Sequence, residues 1–138
     1  MLPGRGSSVA RFPVFLYPCY MNIEDLRDYC LSLPEAAEDF PFGEDTIVFK
    51  IRGKIFLLCG LDSNPLQFNV KCDPDEALEL REQYPAVQPG YHMNKKHWNT
   101  VAVDGTLNLQ QLRKMIVNSY KLAIKSLPKK DREGLGLD

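Results

Sequence analysis

The thirteen positions from Gln88 to Thr100 hold both histidines of the chain (His92, His97), its single tryptophan (Trp98), Tyr91, Asn94, Lys95, Lys96 and Asn99. They follow directly on a Pro89-Gly90 turn signal. That mixture does not pack a core. It reads as a surface lip of donors and aromatic faces, suited to an anionic, planar partner. His92 and His97 are either hydrogen-bonded turn residues or donors to a phosphate and acid/base groups near neutral pH. Catalysis would need a nucleophile or an orienting carboxylate in reach. None is adjacent in sequence, and Asp73 or Glu44 could approach only through the fold. Cys72 beside Lys71 is either a low-pKa thiol or a buried, inert cysteine at a strand end. Two histidines five apart with no third ligand at a matching spacing predict no metal, and no cofactor is expected.

Trp98 carries the alternative on which recognition turns. If Val101 and Val103 face the core, period-two alternation sends Trp98 and Thr100 outward, leaving an indole on which a base can stack for about 1–3 kcal/mol. The opposite phase buries Trp98 with Thr100 and Ala102. Lys50, Lys71, Lys95 and Lys96 are the candidate cations, with Lys54 beside a hairpin turn. Their plain alternative is the solvated lysine that guards sheet edges against aggregation.

These residues need a frame, and the chain patterning supplies one. Asn22 is placed to cap a helix on which Ile23, Leu26, Cys30 and Leu33 repeat at helical spacing, stopped before Pro34. Glu35 to Gly43 reads as an irregular acidic loop whose Phe40-Pro41-Phe42 closes one end of the core. Thr46 to Ile51 and Lys54 to Cys59 read as strands joined by Arg52-Gly53, with glycine where positive φ is wanted. That turn predicts pairs Phe49–Phe56, Ile47–Leu58, Val48–Leu57 and Lys50–Ile55. The outer face then carries Val48, Ile55 and Leu57 beside Lys50, an apolar surface that fits a homodimer or a chaperone-like contact. Leu66 to Lys71 reads as a third strand, with Gln67, Asn69 and Lys71 on one side. Asp73-Pro74 opens a second helix, with Asp75 and Glu76 in its first turn, continued by Ala77, Leu80, Arg81 and Tyr84 until Pro85. Trp98 to Val103 reads as a strand. Asn108 caps a long last helix, with Leu109, Leu112, Ile116, Ser119, Ala123 and Leu127 along one side until Pro128. Lys129 to Asp138 reads as a disordered tail, of which residues 133–138 lie beyond the domain.

At 138 residues the chain has the length of one domain, and its 44% hydrophobic and 25% charged residues are those of an ordinary globular protein. A net charge of -1 excludes wholesale electrostatic attraction to nucleic acid, so such a partner needs a local patch. Met21 to Val48 holds eight acidic residues against Arg27 alone, and Arg113 to Arg132 seven basic residues against Asp131 alone. The first and last helices therefore attract each other, wear solvated faces, or offer a basic flank to a partner. Cys19, Cys30, Cys59 and Cys72 are widely spaced and read as reduced thiols of a cytoplasmic protein. Residues 1–20, with Pro3, Pro13 and Pro18, read as an extension outside the fold and too broken for a signal peptide or membrane span, with Met21 as the physiological start. The folded unit is expected over 21–132.

The run of Leu33-Pro34, Phe40-Pro41-Phe42-Gly43, Phe49-Lys50 with Gly53-Lys54, Lys71-Cys72-Asp73-Pro74, Leu80-Arg81, Pro89 to Lys95 with His97-Trp98, and Ser119-Tyr120 closely resembles the MmcQ/YjbR family, from Met21 to about Arg132. The resemblance implies an α+β two-layer sandwich, an antiparallel sheet with helices on one face in the order α-β(3)-α-β(2)-α, shaped like secretion chaperones. It adds a second strand after Tyr84. It further implies DNA binding through strand hairpins similar to the double wing of a phage transcription factor. Together these readings predict a non-enzymatic nucleic-acid-binding module that uses Lys50, Lys54, Lys71, Tyr91, His92, Asn94, Lys95, Lys96, His97 and Trp98. The alternative is a pocket for a nucleotide or phosphorylated metabolite built from the same groups.

Overall fold

Local side-chain chemistry starts each long helix. Asn22 accepts from the Asp25 amide at 2.7 Å, and the Asp25 carboxylate takes the Asn22 amide in return, opening α1 (Ile23–Ser32). The Asp73 carboxylate caps α2 (Pro74–Gln83), and a reciprocal Asn108–Gln111 pair caps α3 (Leu109–Lys125). A computed structural model of the chain, describing residues 21–90 and 93–135, packs these helices against one antiparallel sheet. The readings made for residues 1–20 and 136–138 lie outside the described residues.

The strands are β1 (Ala36–Asp39), β2 (Thr46–Ile51), β3 (Lys54–Gly60), β4 (Gln67–Lys71), β5 (Val87–Pro89) and β6 (Trp98–Ala102), with spatial order β1-β2-β3-β4-β6-β5. This is the expected two-layer α+β architecture with one extra edge strand. β1 replaces the first part of the predicted acidic loop because Ala36 to Asp39 pair with Ile51 to Val48 of β2. The core lies between the sheet and α1, α2 and α3, where Leu26, Phe49, Leu57, Phe68, Val101, Leu112 and Ile116 are fully buried. Burying such side chains stabilises by about 1.5–3 kcal/mol each.

Three local readings are corrected. Arg52 (φ 50°) and Gly53 (φ 83°) make the predicted two-residue turn, and Lys50 pairs with Ile55 as expected. A bulge then shifts the register, so that Phe49 pairs with Leu57, Val48 with Leu58 and Ile47 with Cys59. Leu57 therefore faces the core, and Leu58 takes its place on the outer side beside Val48 and Ile55; Val48 is fully buried there, so the expected apolar surface shrinks to the partly exposed Ile55 and Leu58. The carbonyl of Phe56, left opposite no partner, accepts a hydrogen bond from the Ser119 hydroxyl at 2.5 Å, and the Ser119 Oγ in turn accepts from the Lys71 amide at 2.8 Å. The second correction is Phe40-Pro41-Phe42. It does not close the core: Phe40 and Phe42 are 43% and 66% exposed. Thirdly, a short helix α4 (Lys129–Leu135) occupies the start of the expected tail. The Pro128 carbonyl accepts from the amides of Asp131 and Arg132 to form its first turn, and Asp131 lies 3.9 Å from the Arg52 guanidinium at the hairpin tip.

Candidate functional site

The phase of β6 is set by burial. Asn99 and Val101 are buried on the helix side, whereas Trp98, Thr100 and Ala102 are partly exposed on the opposite side. In β4, Phe68 and Val70 are buried, so Gln67, Asn69 and Lys71 share that outer side. Register makes Lys71 the direct partner of Trp98, and Asn69 the partner of Thr100. A lysine and an indole thus stand side by side on the face that the helices leave uncovered, in a lattice about 4.8 Å wide per strand.

The loop that leads into Trp98 is tied down by its own backbone. The carbonyl of Asn94 accepts from the amides of His97 (3.0 Å) and Trp98 (2.9 Å), and its side-chain oxygen accepts from the Lys96 amide at 3.0 Å. The His97 carbonyl accepts from the Cys72 amide at 2.7 Å, which couples the loop to the end of β4. The Gly90 amide donates to the Trp98 carbonyl at 2.9 Å. A Cβ at residue 90 would lie 3.1 Å from both the Trp98 carbonyl oxygen and its Cβ, so the close approach explains the glycine after Pro89.

One residue from outside the loop completes this fastening. The Arg81 guanidinium on α2 donates to the Asn99 side-chain oxygen at 2.7 Å, to the Trp98 carbonyl at 3.2 Å and to the Lys95 carbonyl. Asn99 is 1% exposed, and a buried amide oxygen without a donor costs roughly 1–3 kcal/mol. From sequence, Arg81 stands on the second helix and, with Leu80, in the family resemblance, but among no predicted site residues. A cation in the last turn of a helix is expected from the helix dipole alone, so nothing local marked its reach.

The other predicted residues divide as follows. Lys50 lies on the outer face and pairs with Asp39 at 2.8 Å, and the hydrogen bond from that ammonium, with the Phe40 amide, holds the Asp39 carboxyl below its ordinary range. Lys54 is exposed at the hairpin tip, Lys95 and Lys96 are exposed on the loop, and His97 and Trp98 are half-buried. Lys71, Lys54 and Lys96 make no ion pair with a described carboxylate. Tyr91 and His92 lie outside the described residues. Burial, with Glu76 and Asp73 nearby, pushes the Cys72 thiol up to about 11, which overturns its low-pKa reading.

Of the readings for the terminal helices, direct ion pairing between them is not seen among the described residues. The ion pairs among the described residues join Arg27 to Glu38, Lys50 to Asp39, and Arg52 to Glu35 and Asp131. None links α1 to α3, where Arg113 instead sits 4.9 Å above the Tyr29 ring. A groove of about 760 Å³ between α2 and α3 is lined by Glu76, Glu79, Glu82 and Lys114 over a floor of Leu80 and Met115. Among the described residues no three His, Cys, Asp or Glu side chains converge as a metal set, and no helix is long and apolar enough to cross a membrane.

The geometry agrees with the comparisons. The YjbR family model matches residues 31–122. The chain belongs to the YjbR family. It is 38% identical over 110 residues to the protein YbdF of Escherichia coli O157:H7, covering 80% of this chain and 90% of that one. It is 31% identical over 113 residues to YjbR of Escherichia coli (strain K12), covering 82% and 96%. Among solved structures, the Deinococcus radiodurans protein DR2400 superposes with a TM-score of 0.81 at 38% identity, over 90% of this chain and 94% of that one. A Pseudomonas syringae protein superposes with a TM-score of 0.65 at 27% identity, over 75% and 99%. YjbR membership thus accounts for the open six-stranded sheet with helices on one side.

Proposed function

We propose that this YjbR protein is a nucleic-acid-binding module that takes a single strand on the helix-free face of its sheet. The observation that carries the reading is the cross-strand Lys71–Trp98 pair on that face. An indole there provides a stacking platform, and Lys71, with Lys95 and Lys96 of the loop that leads into Trp98, supplies cations for successive phosphates. The hairpin tip is a poorer anchor than the face, because the Arg52 guanidinium is already engaged by Glu35 at 2.7 Å and 3.2 Å. The groove between α2 and α3 is a poor seat for a phosphorylated metabolite, since three carboxylates face one lysine there. Burial pushes the Cys72 thiol up to about 11, so it does not serve as a thiolate nucleophile near neutral pH.

The chain's single tryptophan makes the test direct. Titration with a twelve-residue thymidine oligonucleotide at low salt is expected to quench its fluorescence, and the affinity is expected to fall steeply as salt rises. By anisotropy with a labelled oligonucleotide, Trp98→Ala should weaken binding by about 5- to 150-fold, the equivalent of roughly 1–3 kcal/mol. Lys71→Gln should lower the salt slope by about 0.7, the loss of one phosphate contact on a single strand. No binding of single- or double-stranded DNA at low salt overturns the proposal, and a preference for duplex overturns the stacking mode. A stable dimer closed over Ile55 and Leu58, seen by sedimentation of the free protein, would count equally against it.

A further inference from the structure

Beside the indole, the outer face carries one side-chain pair whose polarity is fixed. Thr100, two positions along β6 from Trp98, donates its hydroxyl proton to the Asn69 side-chain oxygen at 2.5 Å. The two residues are direct cross-strand partners and both are partly exposed. An asparagine amide offers one acceptor oxygen and two N–H donors, and which end faces a ligand is decided by whatever holds the other end. Here the oxygen is held. The 2.5 Å separation fits an O–H···O bond and is short for an N–H···O one, so the oxygen end of the amide faces Thr100. The Asn69 NH2 makes no hydrogen bond to a described residue, so the donor end is left for something else. Lys71, adjacent to Asn69 on the same side of β4 and opposite Trp98, is also a pure donor. Trp98 is therefore flanked by two hydrogen-bond donors, Lys71 directly across from it and Asn69 in the next row, about 7 Å along the strand.

Building on the reading above, we infer that Asn69, oriented by Thr100, selects bases with a keto group at pyrimidine C4 or purine C6, thymine, uracil and guanine, over cytosine and adenine, which carry an amino group there. A base stacked on Trp98 presents its edge to Asn69 and Lys71. A carbonyl oxygen there meets donors. An exocyclic amino group sets donor against donor and leaves the amide unpaired, the arrangement that discriminates most strongly in polar recognition. Thr100 acts as a positioning residue: it touches no base and sets the sense in which Asn69 is read.

The experiment compares thymidine and deoxycytidine oligonucleotides of equal length, both pyrimidine runs of the same charge, by anisotropy with the full chain. Wild type should bind the thymidine strand about three- to tenfold more tightly, the range of one well-made hydrogen bond. Thr100→Val, close in shape, should keep the salt dependence and bring the ratio towards one, while Thr100→Ser should retain the preference. Asn69→Asp, which exchanges donor for acceptor, should weaken the thymidine strand more than the deoxycytidine strand. Thermal melts matching wild type establish that each variant is folded. Equal affinity of wild type for both strands, with Trp98→Ala still weakening each, overturns this inference and leaves the binding reading standing. A thymidine preference unchanged in both Thr100→Val and Asn69→Asp overturns it too. Absence of binding to either strand removes the parent reading first.

Discussion

Two loops rich in aromatic and charged residues lie on this molecule, and they are built on opposite terms. The one running from Asn94 to Trp98 is held by bonds that arrive from β4 and α2, through the Cys72 amide and the Arg81 guanidinium. The one running from Phe40 to Asp45 has mostly short-range bonds, Gly43 to the Phe40 carbonyl and Thr46 to the Gly43 carbonyl, both at 3.4 Å, plus one contact from the Leu61 amide to the Asp45 carbonyl. Residue types alone would rank the two alike. What separates them is a long side chain reaching in from another element, which turns a polar loop into a fixed support for the indole that follows it. The Phe40 loop has only its rings turned to solvent.

The contrast can be broken most sharply at Arg81. Arg81→Met should destabilise the fold by about 2–3 kcal/mol, because the Asn99 oxygen and the Lys95 carbonyl lose this donor and the Trp98 carbonyl keeps only the Gly90 amide. Chemical denaturation reads this, and Arg81→Lys should recover little, since an ammonium cannot span three acceptors as a planar fork does. A loss under about 0.5 kcal/mol would mean that the loop stands without its fastening. A smaller effect, about 1 kcal/mol, is expected of Asn94→Ala, which removes only the turn bond to the Lys96 amide. In the other loop, Phe42→Ser should change stability by no more than about 0.5 kcal/mol. A large loss there would show that its ring is packed in solution and that the contrast is false.

Much of the frame was legible because its causes are local. The caps at Asn22, Asp73 and Asn108 act on backbone groups two or three residues away, and the Arg52-Gly53 turn needs only its own φ angles. β1 was not legible, since Ala36-Ala37-Glu38-Asp39 has no apolar alternation and is a strand only because β2 offers it a ladder. The register shift in β3 was hidden for the same reason: the hydroxyl that accommodates it lies 63 residues further along the chain. At the candidate site, alternation held both phases of Trp98 open, and the burial of Asn99 and Val101 on the helix side decides between them. The list of lysines was readable. That Lys50 is spoken for by Asp39, while Lys71 stands beside the indole, depends on pairing across strands and lay beyond any one segment.

Ser119 sits at 0% exposure in the middle of α3 and serves two strands at once. Any rotation or sliding of that helix over the sheet would strand two main-chain groups in a dry environment, at a cost of roughly 1–3 kcal/mol each. One hydroxyl thereby indexes the helix layer to the sheet layer, as a dowel aligns two plates, and keeps the position of Lys71 reproducible from molecule to molecule.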